Sequence, residues 1–240
     1  MKPNRIHSWN ITPKEAEAVQ LNLRQKVSLS PYGEQFTTVA GTGVIFDPHK
    51  NIVRASVVVI SYPGFSIVEQ YSALAEIRFP YISGMLAFRE GAVLMKLFRK
   101  VASSIDLIVF HGHGQAHPRK FGLASHLGVL LGITSIGVSD KILVGHHSEI
   151  GTAKFKVSKI LHESKEVGAA LITKEGKKPI FVSAGHKIDT DSSLKVIRKL
   201  VTNYRNPEPL RLANKAVKSF SVGKKIEITM GTTDQQTSLF

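Results

Sequence analysis

The segment Phe110-His111-Gly112-His113-Gly114-Gln115-Ala116-His117-Pro118-Arg119 places three histidines within seven residues, with Arg119 and Lys120 behind them. Imidazole nitrogens suit transition metals, and histidine beside guanidinium and ammonium groups suits phosphate. The glycines at 112 and 114 let a ligand approach the main chain closely. A histidine-bearing surface loop with no such role is the alternative. Glu90 is the second candidate. Leu86, Val93, Leu94, Leu97 and Val101 lie at −4, +3, +4, +7 and +11 from it, which sets its carboxylate on the apolar stripe of a helix. A buried carboxylate is costly alone, so Glu90 needs a metal, a cation such as Arg89, or a proton held by a raised pKa. The third candidate is Tyr81 in Pro80-Tyr81-Ile82-Ser83-Gly84. A ring on a tight loop beside a basic groove can stack on a base or wedge a duplex open; it can equally be a packing residue.

These residues need elements to position them. Thr12-Pro13-Lys14-Glu15 reads as a helix start, with the helix running to about Val27. Val39 to Phe46, Ile52 to Ser61 and Ser66 to Ile77 read as strands joined by short turns, hence an antiparallel meander. The pattern predicts a helix over Gly84 to Val101 and then a short apolar strand, Leu107 to Phe110. The histidine segment therefore sits at the carboxyl end of a strand, where open α/β sheets bind ligands. Helix Leu123 to Leu131, strand Ile133 to Val138, strand Ile180 to Ser183 and helix Ser192 to Tyr204 follow. Short apolar strands alternating with helices predict parallel pairing with helices on both faces. Residues 145–178 are lysine-rich and read as a peripheral hairpin, and a flexible polar tail is expected from about Ser221. The expected architecture is one domain over residues 1–220: a mixed sheet, meander first and βα units second, flanked by helices.

Composition narrows the function. The 32 Lys and Arg exceed the 18 Asp and Glu by 14, and a compact surface so charged attracts polyanions, nucleic acid foremost. A solvated lysine coat is the bland alternative. No apolar run approaches the roughly 20 residues of a membrane helix, and the first residues lack the apolar core of a secretory signal. The chain has no cysteine, which excludes thiolate chemistry and fits a reducing, cytoplasmic location.

In order along the chain, Pro80-Tyr81-Ile82-Ser83-Gly84, Leu86-Ala87-Phe88-Arg89-Glu90, Gly112-His113-Gly114-Gln115-Ala116-His117-Pro118-Arg119, Gly122-Leu123-Ala124-Ser125-His126-Leu127-Gly128, Ser135-Ile136-Gly137-Val138, Gly185-His186-Lys187-Ile188-Asp189 and Pro207-Glu208-Pro209-Leu210-Arg211-Leu212-Ala213 resemble the segments of endonuclease V. That family is a deaminated-purine repair nuclease of RNase H-like fold. The resemblance implies a Mg²⁺-dependent enzyme that cuts near an inosine-type lesion; DNA is the expected partner, and RNA is left open as the alternative. It implies that Tyr81 is a wedge and that the lesion base is flipped into a pocket lined or bordered by Gly84, Leu86, Gly112, Gly114, His117 and Ser125, with Arg119 at the nucleic acid.

The resemblance also exposes departures. Of the three metal carboxylates it implies, Glu90 supplies the helix acid; the strand acid falls on Gly43 and the acid before Gly112-His113-Gly114 falls on His111. The expected lysine falls on Asp140, and the acid or histidine after Arg211-Leu212-Ala213 falls on Asn214. Lys141 adjoins Asp140 but should point to the opposite face of a strand. Mg²⁺ wants oxygen ligands, and replacing two anionic ligands by glycine and imidazole weakens its hold. The expectation is a nucleic-acid-binding protein with hydrolysis lost or strongly impaired. A second reading is an active site of Glu90 and His111 with Mn²⁺ or another transition metal. By the same mapping, Gly43→Asp, His111→Asp and Asp140→Lys together rebuild the metal centre. Separately, Gln236-Thr237-Ser238-Leu239-Phe240 resembles the peptide that docks bacterial proteins on the sliding clamp, with Gln236, Leu239 and Phe240 as its anchors; a third reading is a clamp-associated interaction protein.

Overall fold

The computed structural model describes residues 7–33 and 35–220, and the backbone of residues 228–230. Helix α1 (Pro13–Leu23) starts as its sequence dictates. Thr12 Oγ1 accepts from Glu15 N at 3.3 Å, and Glu15 Oε2 accepts from Thr12 N at 2.7 Å, a reciprocal capping box. A 3-10 turn, Arg24–Lys26, takes the chain out of the helix short of Val27.

The meander follows. Strands β1 (Thr38–Asp47), β2 (Ile52–Ser61) and β3 (Ile67–Glu76) pair antiparallel, within a residue or two of the sequence boundaries. Helix α2 (Leu86–Phe98) begins two residues later than expected because Gly84 has φ +78, a left-handed value no helix interior tolerates. Strands β4 (Leu107–His111) and β5 (Thr134–Ser139) are parallel to β1 and to one another, with α3 (Leu123–Leu131) crossing between them.

Strands β6 (Val157–His162) and β7 (Lys165–Leu171) form the expected hairpin at the sheet edge. Strand β8 (Ile180–His186) then lies antiparallel to β5, which corrects the expectation of parallel pairing. The connection decides this: the chain reaches β8 through a hairpin rather than a helical crossover, so it enters the sheet from the other end. Helices α4 (Thr190–Leu200) and α5 (Glu208–Ser219) complete the fold, and α4 ends four residues before the predicted Tyr204.

The mixed sheet runs β6-β7-β8-β5-β4-β1-β2-β3-β9, where β9 is Ile228–Met230. Where a featureless segment is expected from Ser221, the backbone of these three residues pairs with β3, Met230 opposite Glu69. The clamp-type peptide at residues 236–240 lies outside the described residues.

Helices cover both faces. On one face Ala40 and Phe110 of the sheet pack with Leu94 and Phe98 of α2 and Leu127 of α3; on the other Val39, Ile136 and Val182 pack with Ile197 of α4 and Ala213 of α5. Alternation along β1 sends Ala40 to one face and Val39 to the other. The sequence reading treated 207–213 only as a motif, yet α5 packs across β1 and β2. It comes close because β1 offers no side chain there: a Cβ on Gly41 would sit 2.2 Å from the Pro209 carbonyl oxygen.

Candidate functional site

A cavity of about 310 Å³ opens at the carboxyl end of β4, between the second half of β1, the start of α2 and the loop before it. Phe46, Tyr81, Gly84, Glu90, His111 and His113 are among its walls. Leu86, Gly112 and His117 also line it, as the sequence reading expects.

One wall is the loop carrying Tyr81. The Tyr81 ring is 79% exposed, too open to be a packing residue, and the Arg89 guanidinium sits 5.4 Å from its centroid. Arg89 also lies 4.7 Å from the Phe46 ring, so one cation joins the loop to β1. Behind Tyr81, the carbonyl of Gly84 accepts from Gln20 Nε2 at 3.0 Å, His117 Nε2 at 2.8 Å and Arg119 Nη2 at 3.1 Å. His117 Nδ1 in turn accepts from Arg119 N at 3.2 Å, so both ring nitrogens are committed and the neutral tautomer is fixed. Burial pushes the His117 pKa down to about 4, against the opposing bond to Gly84. Arg119 Nε donates to Gln20 Oε1 at 2.7 Å and Nη1 pairs with Glu17 at 3.3 Å. Helix α1 thus holds the loop from behind. Gln20 escaped the sequence reading, although the signal that singled out Glu90 is present: Ala16, Gln20 and Leu23 are the buried stripe of α1.

The other wall carries the departures from the family pattern. Glu90 is 2% exposed, and its Oε1 has no hydrogen-bond partner among the described residues. Burial pushes its pKa up to about 8, with the Arg89 charge opposing, so the carboxyl holds its proton at neutral pH. His113 Nδ1 is likewise buried and unpartnered among the described residues. Burial, with His111 adding to it, pushes the His113 pKa down to about 4.

His111 Nε2 lies 3.3 Å from Asp140 Oδ2, and Arg205 Nη1 pairs with Asp140 Oδ1. The hydrogen bond from His111 and then, against the cost of desolvation, the Arg205 charge hold the Asp140 carboxyl well below the usual carboxylate range. Positions where the family pattern implies an acid and a lysine therefore hold a base and an acid, in contact with each other. Lys141 is exposed and outside the cavity wall.

Gly43 does not line the cavity. A Cβ there would lie 2.5 Å from the Ala213 carbonyl oxygen and 2.9 Å from Asn214 N, main-chain atoms of α5. The alternate residues Val44 and Phe46 mark how the wall of β1 shifts, and Thr42 Oγ1 accepts from His111 N at 3.3 Å. Gly114 and Ser125 also stand away from the cavity. A Cβ on Gly114 would meet the Ala184 carbonyl oxygen at 2.0 Å, so this glycine permits strand packing rather than ligand approach. Ser125 is fully buried in α3, 3.4 Å from Gln115 Nε2. Arg119 is tied into the Gly84 network rather than the cavity surface.

Residues 21–215 match the sequence model of the Endonuclease V family. The chain belongs to the endonuclease V family. It is 36% identical over 215 residues to endonuclease V of Thermosipho melanesiensis, covering 90% of this chain and 94% of that one. It is 39% identical over 213 residues to endonuclease V of Trichormus variabilis, covering 87% and 95%. Among solved structures, endonuclease V of Streptomyces avermitilis superposes with a TM-score of 0.83 at 38% identity over 88% of this chain and 93% of that chain. The Ciona intestinalis enzyme, solved in complex with a 23mer DNA containing an inosine followed by a ribo-adenosine, superposes with a TM-score of 0.76 at 26% identity, covering 87% and 97%. The fold is accordingly RNase H-like. Among the described residues no helix is long and apolar enough to cross a membrane.

Proposed function

We propose that this endonuclease V relative binds nucleic acid containing a deaminated purine of the inosine type, seating the displaced base in the cavity beside Tyr81, and that phosphodiester hydrolysis is lost or strongly impaired. Support for recognition comes from the exposed Tyr81, the braced Gly84 and a cavity at the small end of the range for ligand sites. The inosine-containing DNA bound by the Ciona relative supports the substrate class.

The observation that carries the second half is the exchanged pair, His111 against Asp140 at 3.3 Å. Magnesium in this family's chemistry would activate water and neutralise charge on the scissile phosphate. The donor set here does not fit that ion. Among the described residues Glu90 is the lone carboxyl in the cavity wall and favours its proton; Asp140 is already engaged by His111 and Arg205; and the α5 main chain fills the side-chain space at Gly43. Among the described residues no three His, Asp or Glu side chains gather as a metal site. The same steric contact argues against rebuilding the centre by Gly43→Asp, His111→Asp and Asp140→Lys, since the first change collides with backbone.

Gel-shift and cleavage assays on one inosine-containing duplex test both halves. Retention of the duplex over an undamaged control, with no nicking in Mg²⁺, is the expected result. Nicking that depends on Mg²⁺ and disappears in Glu90→Ala overturns the loss of hydrolysis. A second reading, cleavage with Mn²⁺, is favoured by the unpartnered Glu90 Oε1 and His113 Nδ1; a panel of divalent metals without cleavage removes it. Clamp docking through Gln236, Leu239 and Phe240 rests on the sequence alone, and deletion of residues 236–240 with no loss of clamp binding dismisses it.

A further inference from the structure

Positive charge is unevenly spread over the edge hairpin. Around its turn, charges balance: Glu163 and Glu166 accompany Lys159 and Lys165, and Lys159 Nζ lies 2.8 Å from Glu166 Oε2. At the opposite end, segments 152–156 and 174–178 expose Lys154, Lys156, Lys174, Lys177 and Lys178 against Glu175 alone. Among the described residues, none of these five lysines takes part in an ion pair. A uniform lysine coat would not produce this asymmetry.

The two segments form one braced platform. Phe155 N donates to Ile172 O at 2.6 Å, Ile172 N to Lys156 O at 3.0 Å, and Gly176 N to Thr152 O at 3.3 Å. Arg198 Nη2 reaches the Phe155 carbonyl at 3.4 Å, fastening the platform to α4. The platform also connects to the cavity. Arg205 Nε donates to Lys178 O at 2.9 Å and Nη2 to Pro179 O at 2.7 Å, while Nη1 pairs with Asp140, whose other oxygen faces His111 in the cavity wall. From Lys178 to His111, each step is a direct contact.

We infer that this lysine platform binds the phosphodiester backbone of the nucleic acid flanking the nucleotide held in the cavity. The inference rests on the cavity being the nucleic-acid site. Flexible ammonium groups without a shaped apolar centre suit a run of phosphates, whatever the bases. A protein partner would need desolvated anchors. The two exposed rings nearby already carry cations: Lys154 Nζ lies 4.9 Å from the Phe155 centroid and Arg211 lies 4.4 Å from that of Tyr204. Contact through charge alone is therefore the expected mode.

The test compares the full-length wild type with the combined variant Lys154→Gln, Lys177→Gln, Lys178→Gln and with Tyr81→Ala. Anisotropy is measured on inosine-containing and undamaged duplexes of about 20 base pairs across roughly 50 to 200 mM salt. The platform variant is expected to lose at least about tenfold in affinity for both duplexes and to lower the log–log salt slope by about 2 to 3. Tyr81→Ala is expected to lose inosine preference and keep the slope. An unchanged slope in a platform variant with a wild-type melting transition overturns the inference. If wild type shows no inosine preference, the cavity reading fails; a slope still lowered by the platform variant then shows that the two have separated. If that variant unfolds, charge reversal at Lys177→Glu alone repeats the slope measurement.

Discussion

The two walls of the cavity differ in how their polar groups are satisfied, although Arg89 Nε beside Tyr81 is also buried without a partner among the described residues. On the Tyr81 side, three donors converge on the Gly84 carbonyl and both nitrogens of His117 are committed. On the Glu90 side, a carboxyl oxygen and an imidazole nitrogen are buried without partners among the described residues, and the nearby acid is engaged elsewhere. On the function proposed above, recognition and hydrolysis would separate on this scaffold: the wall behind Tyr81 is braced through the Gly84 carbonyl, whereas the Glu90 wall keeps buried polar atoms that its own side chains do not satisfy.

The sharpest way to break this contrast is Gly43→Asp. Its side chain would enter the α5 main chain, so a loss of about 4 kcal/mol or failure to fold is expected from overpacking and a buried charge. His111→Asp, at a partly exposed position, should fold. A denaturant midpoint for Gly43→Asp equal to wild type would mean that α5 yields easily and that the acid could be restored.

Next in size is pH dependence. The Glu90 pKa rises from 4.5 in the unfolded chain to about 8 in the fold, so its contribution is complete below pH 4.5 and is lost as pH climbs from there through 8. The loss should be a few kcal/mol, and Glu90→Gln should remove most of it. His113 and His117, both depressed from 6.5 to about 4, act in the opposite sense: their contribution is present above 6.5 and is lost as pH falls through 4. Stability curves against pH for Glu90→Gln and His117→Gln should therefore flatten on opposite limbs; a Glu90→Gln curve with an unaltered alkaline limb would contradict the buried, protonated carboxyl.

Smaller still is Gln20→Ala, which leaves the Arg119 guanidinium short of an acceptor and the Gly84 carbonyl short of a donor. About 1 to 2 kcal/mol should be lost, with weaker inosine binding, because the loop slackens. Unchanged binding would show that α1 does not brace the recognition wall. Tyr81→Ala should move the melting transition least, within about 0.5 kcal/mol, since the ring is mostly in solvent. It should still cost inosine preference roughly tenfold through lost stacking.

Much of this was legible in the chain. The meander declared itself through β-branched runs and turns, and Glu90 through its place among Leu86, Val93 and Leu97. The direction of β8 was within reach as well: the hairpin read over residues 145–178 already replaces a helical crossover before it, and only the extension of the βα pattern to this strand made it parallel. Helix α5 was legible in principle: Pro209 stands in its first turn, and Leu210, Ala213, Ala216 and Val217 repeat at helical spacing. The departures at Gly43, His111 and Asp140 were visible only as missing ligands. That α5 fills the space at one, and that the other two meet across 29 positions of sequence, is tertiary information.

The triple acceptor at Gly84 has one more consequence. Helix α1 lies outside the cavity wall apart from Gln20, yet a small tilt of that helix would be transmitted through one oxygen to the ring at position 81. Anything that grips the outer face of α1, an antibody fragment for instance, would act on base recognition at a distance, as a lever whose fulcrum is a single peptide group.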